Sequence, residues 1–407
     1  LSSSTERFQS IIRSKDWAWP FWPVLPLYPY GQRRTLRHEI VKDTIWTFDQ
    51  VQGIFYVIVP IRMTVVRLER GGLLVYAPVA PTPECLRLMR ELETRHGEVK
   101  YIILPTVSGI EHKVFVGPFA RCFPKAQVFV APEQWSFPVN LPLNWLGLPA
   151  DRTQILPPES SKTPFGDQFD YAILGPLGLG LGPFVEVAFF HRSTRSLLVT
   201  DSVVSISEDP PPVLLQDPFP LLFHAKDSAL EVPQDTPDNR RRGWQRICLF
   251  GFYFRPSALD VEKPGKLFRE AFNAPDRSRR NFFGLYPFRW QPDWQLAFET
   301  LRGRGRLLVA PVLQTLIFPR GPKEVIAWAD WVAAWQFERI IPCHMDAPIS
   351  AGPKEFRQAF SFLERHPPEE ALTNGHRPLP QEDFELLRQL ESVLVKGKVT
   401  PPAQGKI

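Results

Sequence analysis

Cysteine is scarce in this sequence. The chain of 407 residues has four, Cys85, Cys122, Cys248 and Cys343, and no two stand as Cys-x-x-Cys. This excludes a disulfide scaffold, a zinc ribbon and a thioredoxin-type redox motif, and it fits a reducing compartment. No apolar run reaches the length of about 18 residues that a membrane-spanning helix needs, so none is expected. Charge of one sign is also lacking. The 48 Lys+Arg against 43 Asp+Glu leave a formal charge of +5. That excess is too small to require nucleic acid as a partner, yet it permits weak attraction to anionic lipid or acidic proteins. No internal repeat of solenoid period is visible.

Proline and aromatic residues are abundant instead. There are 44 Pro, about twice the usual share, with 31 Phe and 12 Trp. Many prolines imply many fixed loops, and the aromatics imply a large buried area or adhesive surfaces. At 44% hydrophobic and 22% charged, the composition is globular and excludes a wholly disordered chain. The length allows two or three domains, or one large α/β domain with extensions. The chain begins Leu1-Ser-Ser-Ser without Met. That fits either a mature form freed of a targeting peptide or a trimmed chain.

Three segments are expected. Residues 1–40 form an arm in which Trp17-Ala-Trp-Pro-Phe-Trp-Pro23 mixes rings with proline, which blocks helix and ladder pairing alike. Residues 41–350 form the main α/β domain, with an insertion at about 206–300, and residues 351–407 form a helical extension ending in a polar tail. Within the domain, Ile54–Val59, Met63–Leu68 and Leu73–Tyr76 read as strands and Glu84–Arg95 as a helix started by Thr82 or Pro83 and stopped by Gly97. Tyr101–Leu104 and Gln127–Val130 read as strands around a helix at Val114–Phe123. Residues 131–180 read as loops around short strands, Glu186–Phe190 and Ser196–Thr200 as a strand pair, Gly321–Phe337 as a helix and Arg339–Pro342 as a strand. Helices are expected again at Pro353–Arg365 and Gln381–Leu394. The alternation predicts a layered α/β fold.

Hydrolytic metal sites need His, Asp or Glu converging from separate elements, commonly at strand ends. Three places offer this. Ile102-Ile-Leu-Pro-Thr-Val-Ser-Gly-Ile-Glu-His112 is a strand and loop that delivers Glu111 and His112 where a helix begins. Ser196-Leu-Leu-Val-Thr-Asp201 is a strand with Asp201 at its end. Arg339-Ile-Ile-Pro-Cys-His344 is a strand delivering His344. Cys343, one residue earlier, should point to the opposite face as a core thiol. His191 reads as a surface residue in a turn. His224, with Asp227, lies in the insertion, either outside the site or shielding it. Ser108 and Ser202 lack a His–Asp relay. Gly178-x-Gly180-x-Gly182 lacks the strand–turn–helix setting of a dinucleotide loop.

This order of motifs resembles the metallo-β-lactamase superfamily, whose fold is an αββα sandwich. The superfamily's first motif, His-x-His-x-Asp-His, falls here on Val107, Gly109, Glu111 and His112. Asp201 matches the bridging Asp and His344 the final His, while no His stands near Gly180–Pro183, where the Gly-His loop would fall. The resemblance therefore implies that the first metal site is lost and that Glu111, His112, Asp201 and His344 keep the second, fit for one divalent ion such as Zn²⁺, Fe²⁺ or Mn²⁺. Longer stretches, among them Pro60-Ile-Arg-Met-Thr-Val-Val-Arg-Leu68 and Ile340-Ile-Pro-Cys-His-Met-Asp-Ala-Pro348, resemble a metallo-β-lactamase-like family of unknown function found in plants, algae and cyanobacteria. This covers about Trp17 to Arg365. It implies a photosynthetic source: a chloroplast location, stromal or thylakoid-associated, in a eukaryote, and a cytoplasmic or thylakoid-peripheral one in a cyanobacterium.

Two functional readings follow. In one, the fold is a non-catalytic binding or assembly factor with no metal, acting at or near a photosynthetic membrane complex. Trp17, Trp19, Phe21 and Trp22 beside Arg33, Arg34 and Arg37, together with Arg277, Arg279, Arg280, Phe282, Phe283, Tyr286 and Trp290, would meet an anionic membrane surface. In the other, it is a single-metal hydrolase of an ester, amide or phosphoester. His112, Asp201 and His344 would then hold the ion, with Glu111 as ligand or general base and with Glu111 and Asp201 as the catalytic carboxylates.

Overall fold

The computed structural model describes residues 27–29, 33–134, 142–180, 182–366 and 378–407. The Trp17–Pro23 cluster lies outside them. Strands β1 (Leu27–Tyr28), β2 (Leu36–Val41), β3 (Ile45–Ile54), β4 (Val57–Arg67), β5 (Leu73–Tyr76), β6 (Val99–Leu104), β7 (Gln127–Val130) and β8 (Thr153–Ile155) form one sheet. From β3 to β5 it is an antiparallel meander, and from β5 to β8 it is parallel. Helices α1 (Pro83–His96) and α2 (Ile110–Cys122) are its crossovers. The second sheet starts with β9 (Phe169–Gly178), β10 (Pro183–His191) and β11 (Ser196–Val199). A two-stranded ribbon, β12 (Leu259–Val261) with β13 (Phe288–Trp290), comes next in the chain. Finally β14 (Arg339–Pro342) joins the second sheet in parallel beside β11.

Period-two alternation decides how the sheets stack. In β5, Leu74 and Tyr76 face the second sheet while Leu73 and Val75 face α1 and α2; β6 does the same with Ile103 against Ile102 and Leu104. From the other side, Tyr171, Val187, Phe189, Leu198 and Ile341 fill the shared layer. The Tyr76 hydroxyl crosses it to donate to the Val187 carbonyl at 2.9 Å. Strands buried on both faces carry near-continuous apolar runs. On the outside of the first sheet, α1 buries Cys85, Leu86, Met89 and Leu92, one stripe at helical spacing. Thr82 caps it by accepting the Cys85 N–H at 3.1 Å.

Beyond β11 the chain enters a helical layer of α3 (Phe219–Ala225), α4 (Pro237–Tyr253), α5 (Pro264–Asn273) and α6 (Trp294–Arg302), packed around the β3–β4 hairpin tip. The pairing of Val204 with Leu308 closes this insertion. Then α7 (Pro311–Leu316) leads to α8 (Pro322–Ala333), whose Val325, Trp328, Ala329 and Val332 cover the outer face of the second sheet with Phe356 of α9 (Pro353–Gln358). Phe384 and Leu387, the latter in α10 (Glu385–Lys396), pack into the insertion's core, so the C-terminal helix is part of the body. The result is the expected mixed α/β, αββα sandwich. No helix among the described residues is long and apolar enough to cross a membrane.

Several expected boundaries are corrected. Ile54–Val59 is not one strand: it holds the end of β3, a turn at Phe55 and Tyr56 with φ of 51° and 63°, and the start of β4. Neither turn residue is glycine or asparagine. The buried Tyr56 ring packs at 5.2 Å from both Phe219 and Phe223, and this tertiary packing offsets the backbone strain. The ten-residue strand β9 occupies part of the stretch read as loops. Leu36–Ile40, expected in the arm, belong to strand β2 of the first sheet. The helix expected at Gly321–Phe337 ends at Ala333, and that at Pro353–Arg365 ends at Gln358 before a short 3₁₀ turn.

Candidate metal centre

Strand β6 ends at Leu104, and the loop after it turns tightly into α2. The Thr106 hydroxyl accepts the Gly109 N–H at 3.1 Å. A Cβ on Gly109 would stand 2.6 Å from the Thr106 methyl. This turn puts Glu111 and His112 in the first helical turn, with His112 fully buried. Its Nδ1 lies 3.2 Å from the Pro78 carbonyl, which can only accept, so Nδ1 is assigned the proton. Its Nε2 is then a lone pair, buried and without a partner among the described residues.

His344 follows β14. Cys343 turns into the layer between the sheets, as period two requires, and His344 faces the other way, paired in register with Ile61 of β4. Its Nδ1 lies 3.1 Å from the Pro60 carbonyl. Arg62, also on β4, fixes the loop from both sides by donating to the Pro342 carbonyl at 2.8 Å and the Met345 carbonyl at 3.0 Å. It is itself held by buried Asp49 at 2.7 Å. Asp201 sits beyond β11 on a loop anchored by Glu186 of β10. That fully buried carboxylate accepts the Thr200 N–H at 2.8 Å, the Asp201 N–H at 3.1 Å and the Ser202 hydroxyl at 2.8 Å.

Three of the four expected residues, Glu111, His112 and His344, thus meet at the carboxyl ends of β6 and β14, and Asp201, beyond β11, reaches the cluster through His344. His344 Nε2 is 3.0 Å from Glu111 Oε1 and 3.2 Å from Asp201 Oδ1. One ligand atom each from Glu111, His112 and His344 lie within 4.8 Å of one another. The electrostatics are those of a crowded ion pair. Burial opposes charge on His344, but the hydrogen bonds and charges of Asp201 and Glu111 raise it to about 10. Burial would raise Glu111, yet the bond to His344 and the nearby imidazoles hold it down at about 2. Burial lowers His112. Burial, then the charge of Asp201, raises Glu186 to about 7 against its three donors.

These residues fit one divalent cation. Both histidines have Nδ1 fixed by a backbone carbonyl, the usual outer partner of a ligating imidazole, with Nε2 turned to the carboxylates or left unpaired. Ligand bonds of about 2.0–2.1 Å imply tetrahedral edges of roughly 3.3 Å. The spacings of 3.0 and 3.2 Å around His344 are close to that. Val107 packs in the core between the sheets and Gly109 is confined by Thr106, so neither position offers a donor for a second ion.

A cleft of about 330 Å³ opens onto Glu111, Asp201 and His344. Phe252 of α4, Leu313 of α7, Ala310 just before that helix, Phe184 and Val59 wall it. Sequence reasoning missed Arg62 and Glu186, because their role is visible only once β4 and β10 lie beside the site. His191 is not a surface residue: its ring is buried against Phe169 at 4.8 Å, with Nδ1 2.8 Å from the Thr194 hydroxyl. His224 does not line the cleft but is buried in the insertion, 3.3 Å from the Phe55 carbonyl. Part of the expected adhesive set is also engaged within the protein. Tyr286 is buried with its hydroxyl donating to the Lys226 carbonyl, and Arg280, though exposed, lies over Phe219 and pairs with Asp217.

Fold and site together define an αββα sandwich with a His–carboxylate cluster at its strand ends. The chain belongs to the DUF4336 family, a domain of unknown function, whose profile matches residues 42–362. No curated protein matches the sequence. Among solved structures it is similar to the metal-soaked Flv1 flavodiiron core of Synechocystis, with 11% identity, 81% of this chain and 60% of that one covered, and a TM-score of 0.39. A flavo di-iron protein variant from Thermotoga maritima matches at 8% identity, 81% and 61% coverage and a TM-score of 0.41. A metallo-beta-lactamase from Pontibacter korlensis matches at 14% identity, 43% and 76% coverage and a TM-score of 0.32. The match spans about three fifths of each flavodiiron chain.

Proposed function

We propose that this protein is a single-metal hydrolase acting on an ester, amide or phosphoester. The observation that carries the reading is the buried Nε2 of His112, a lone pair with no partner among the described residues, beside Glu111 and His344. An unsatisfied buried acceptor is costly and calls for an explanation. A cation accounts for it, held by His112, His344, Asp201 and Glu111. When bound, a divalent ion of the Zn²⁺, Fe²⁺ or Mn²⁺ kind lowers the pKa of its water and polarises a carbonyl or phosphoryl oxygen. The protein's own part is to orient the imidazoles through Pro60 and Pro78, to hold Asp201 through Glu186, and to offer a carboxylate oxygen of Glu111 as proton acceptor. Metal analysis of protein purified without chelator tests this. One equivalent is expected, lost in His112→Ala. Near zero, or two equivalents, overturns it.

A second reading, a non-catalytic binding or assembly factor at a photosynthetic membrane, has its own support. Phe268 and Phe272, one helical turn apart on α5, are exposed, as is Phe283 on the adjoining 3₁₀ segment. Lys263, Arg269 and Arg277 around them form no ion pair with a described residue. Rings beside unpaired cations suit an anionic headgroup layer, at about 1 kcal/mol per cation. Co-sedimentation with vesicles of phosphatidylglycerol and neutral lipid is expected at low salt and lost at high salt. Protein left wholly in the supernatant at low salt sinks this reading.

A further inference from the structure

The cleft over the metal centre has a charge balance that selects among substrates. Its floor carries Glu111 and Asp201, and no Lys or Arg lines it among the described residues. Its walls are apolar, with Val59, Phe184, Phe252, Leu313, Ile317 and Met345. Two carboxylates cancel a divalent cation, and two neutral imidazoles add nothing, so the loaded site has no surplus positive charge. A phosphoester would bring its own negative charge into an apolar cleft beside two carboxylates, and burying an uncompensated charge is expensive. An uncharged apolar group gains from the same walls by leaving water. A volume of about 330 Å³ is at the small end of ligand sites, which run about 300–1,000 Å³.

We propose that the cleft binds a small neutral ester or amide, its aliphatic or aromatic group seated between α4 and α7, and excludes phosphoesters. This rests on the metal-site reading for the charge balance, while the apolar seat is independent of it. Hydrolysis adds water across the C–O or C–N bond: hydroxyl to the acyl carbon, proton to the leaving oxygen or nitrogen.

The test is ligand-detected NMR on the full chain, with and without one equivalent of Zn²⁺, using hexanamide, hexyl phosphate and hexylammonium as probes. Hexanamide is expected to bind at least about tenfold more tightly than the other two when Zn²⁺ is present. Ala310→Phe and Val312→Phe, which narrow the cleft while leaving its charged residues unchanged, are each expected to weaken hexanamide about tenfold, with unchanged circular dichroism. Equal or tighter binding of hexyl phosphate or hexylammonium with Zn²⁺ overturns the proposal. So does hexanamide binding that neither folded variant weakens. If Zn²⁺ itself fails to bind while hexanamide still does and both variants weaken it, the metal reading fails and the apolar seat stands.

Discussion

His112 and His344 each commit one ring nitrogen to the carbonyl of a proline, Pro78 and Pro60. Those carbonyls belong to Pro78, just beyond β5, and Pro60, in β4, so the proton position on His112 and the ring orientation of His344 are set by the first sheet rather than by their own loops. Arg62 extends this control. Its buried guanidinium joins Asp49 to two carbonyls flanking His344. Removing one partner of a buried pair leaves an uncompensated charge, which costs about 3–5 kcal/mol. Arg62→Met is therefore expected to lose roughly that much in urea unfolding, and Arg62→Met combined with Asp49→Leu to regain most of it. A loss below about 1 kcal/mol for the single variant would show that the pair does not hold the loop. None of this was legible in the sequence, where Arg62 and His344 stand far apart and Arg62 looks like a strand arginine.

At the scale of elements, the turn from β6 into α2 decides where Glu111 and His112 point. Gly109 has an ordinary negative φ of −69°, so backbone freedom is not its reason. The reason is the Thr106 methyl, 2.6 Å from where a Cβ would stand. Thr106 is buried and β-branched, and its hydroxyl is engaged with Gly109 itself, so it cannot rotate away. Gly109→Ala is expected to cost about 1–3 kcal/mol in thermal unfolding, as overpacking does. Adding Thr106→Ser, which keeps the hydroxyl and deletes the methyl, should restore most of the loss; no recovery in the double variant would refute the steric account. A helix was legible at Val114–Phe123, with Glu111 and His112 just ahead of it; it starts at Ile110, so both lie within its first turn. The β3–β4 turn was not legible, because Phe55 and Tyr56 carry no turn chemistry and are held by rings of the insertion.

Across the whole molecule, buried histidines set how stability follows pH. Burial, with Arg192 nearby, lowers His191 to about 4. Burial, with the charges of Arg246 and Lys226, lowers His224 to about 3. His112 is lowered too. Each binds its proton more readily unfolded, where the imidazole value is about 6.5, so its stabilisation is complete above that pH and is lost on the way down to the folded value. Glu186, raised to about 7, acts in the opposite sense between about 4.5 and 7, one group against three. His344, raised to about 10, contributes fully below about 6.5 and loses its contribution as pH rises towards 10. Lys113, lowered by burial to about 8, opposes that decline only above its own value. Metal-free protein is therefore expected to be most stable near pH 6.5–7, falling towards pH 4 and also towards pH 8. Urea midpoints across pH 4–8 check this, and a steady rise to pH 8 would contradict the charged state of His344.

A layered α/β fold was already written in the sequence, since buried strands carry near-continuous apolar runs and the helices covering them repeat at three and four, while the αββα arrangement was implied only by the resemblance of the motif order to a known superfamily. Glu111, His112, Asp201 and His344 were legible too, because residue types that bind metal stood at the ends of readable strands. What faces those residues was decided by tertiary structure alone. Glu186 under the Asp201 loop, Arg62 behind His344, and the apolar walls from α4 and α7 come from segments distant in sequence. Their side chains have no local signature, and only packing brings them within hydrogen-bond or van der Waals range of the site. The same holds for the insertion's aromatic residues: composition marks them as adhesive, but whether a ring faces solvent or a neighbouring ring depends on the helices that close over it. That is why Tyr286 is internal and Phe272 is not.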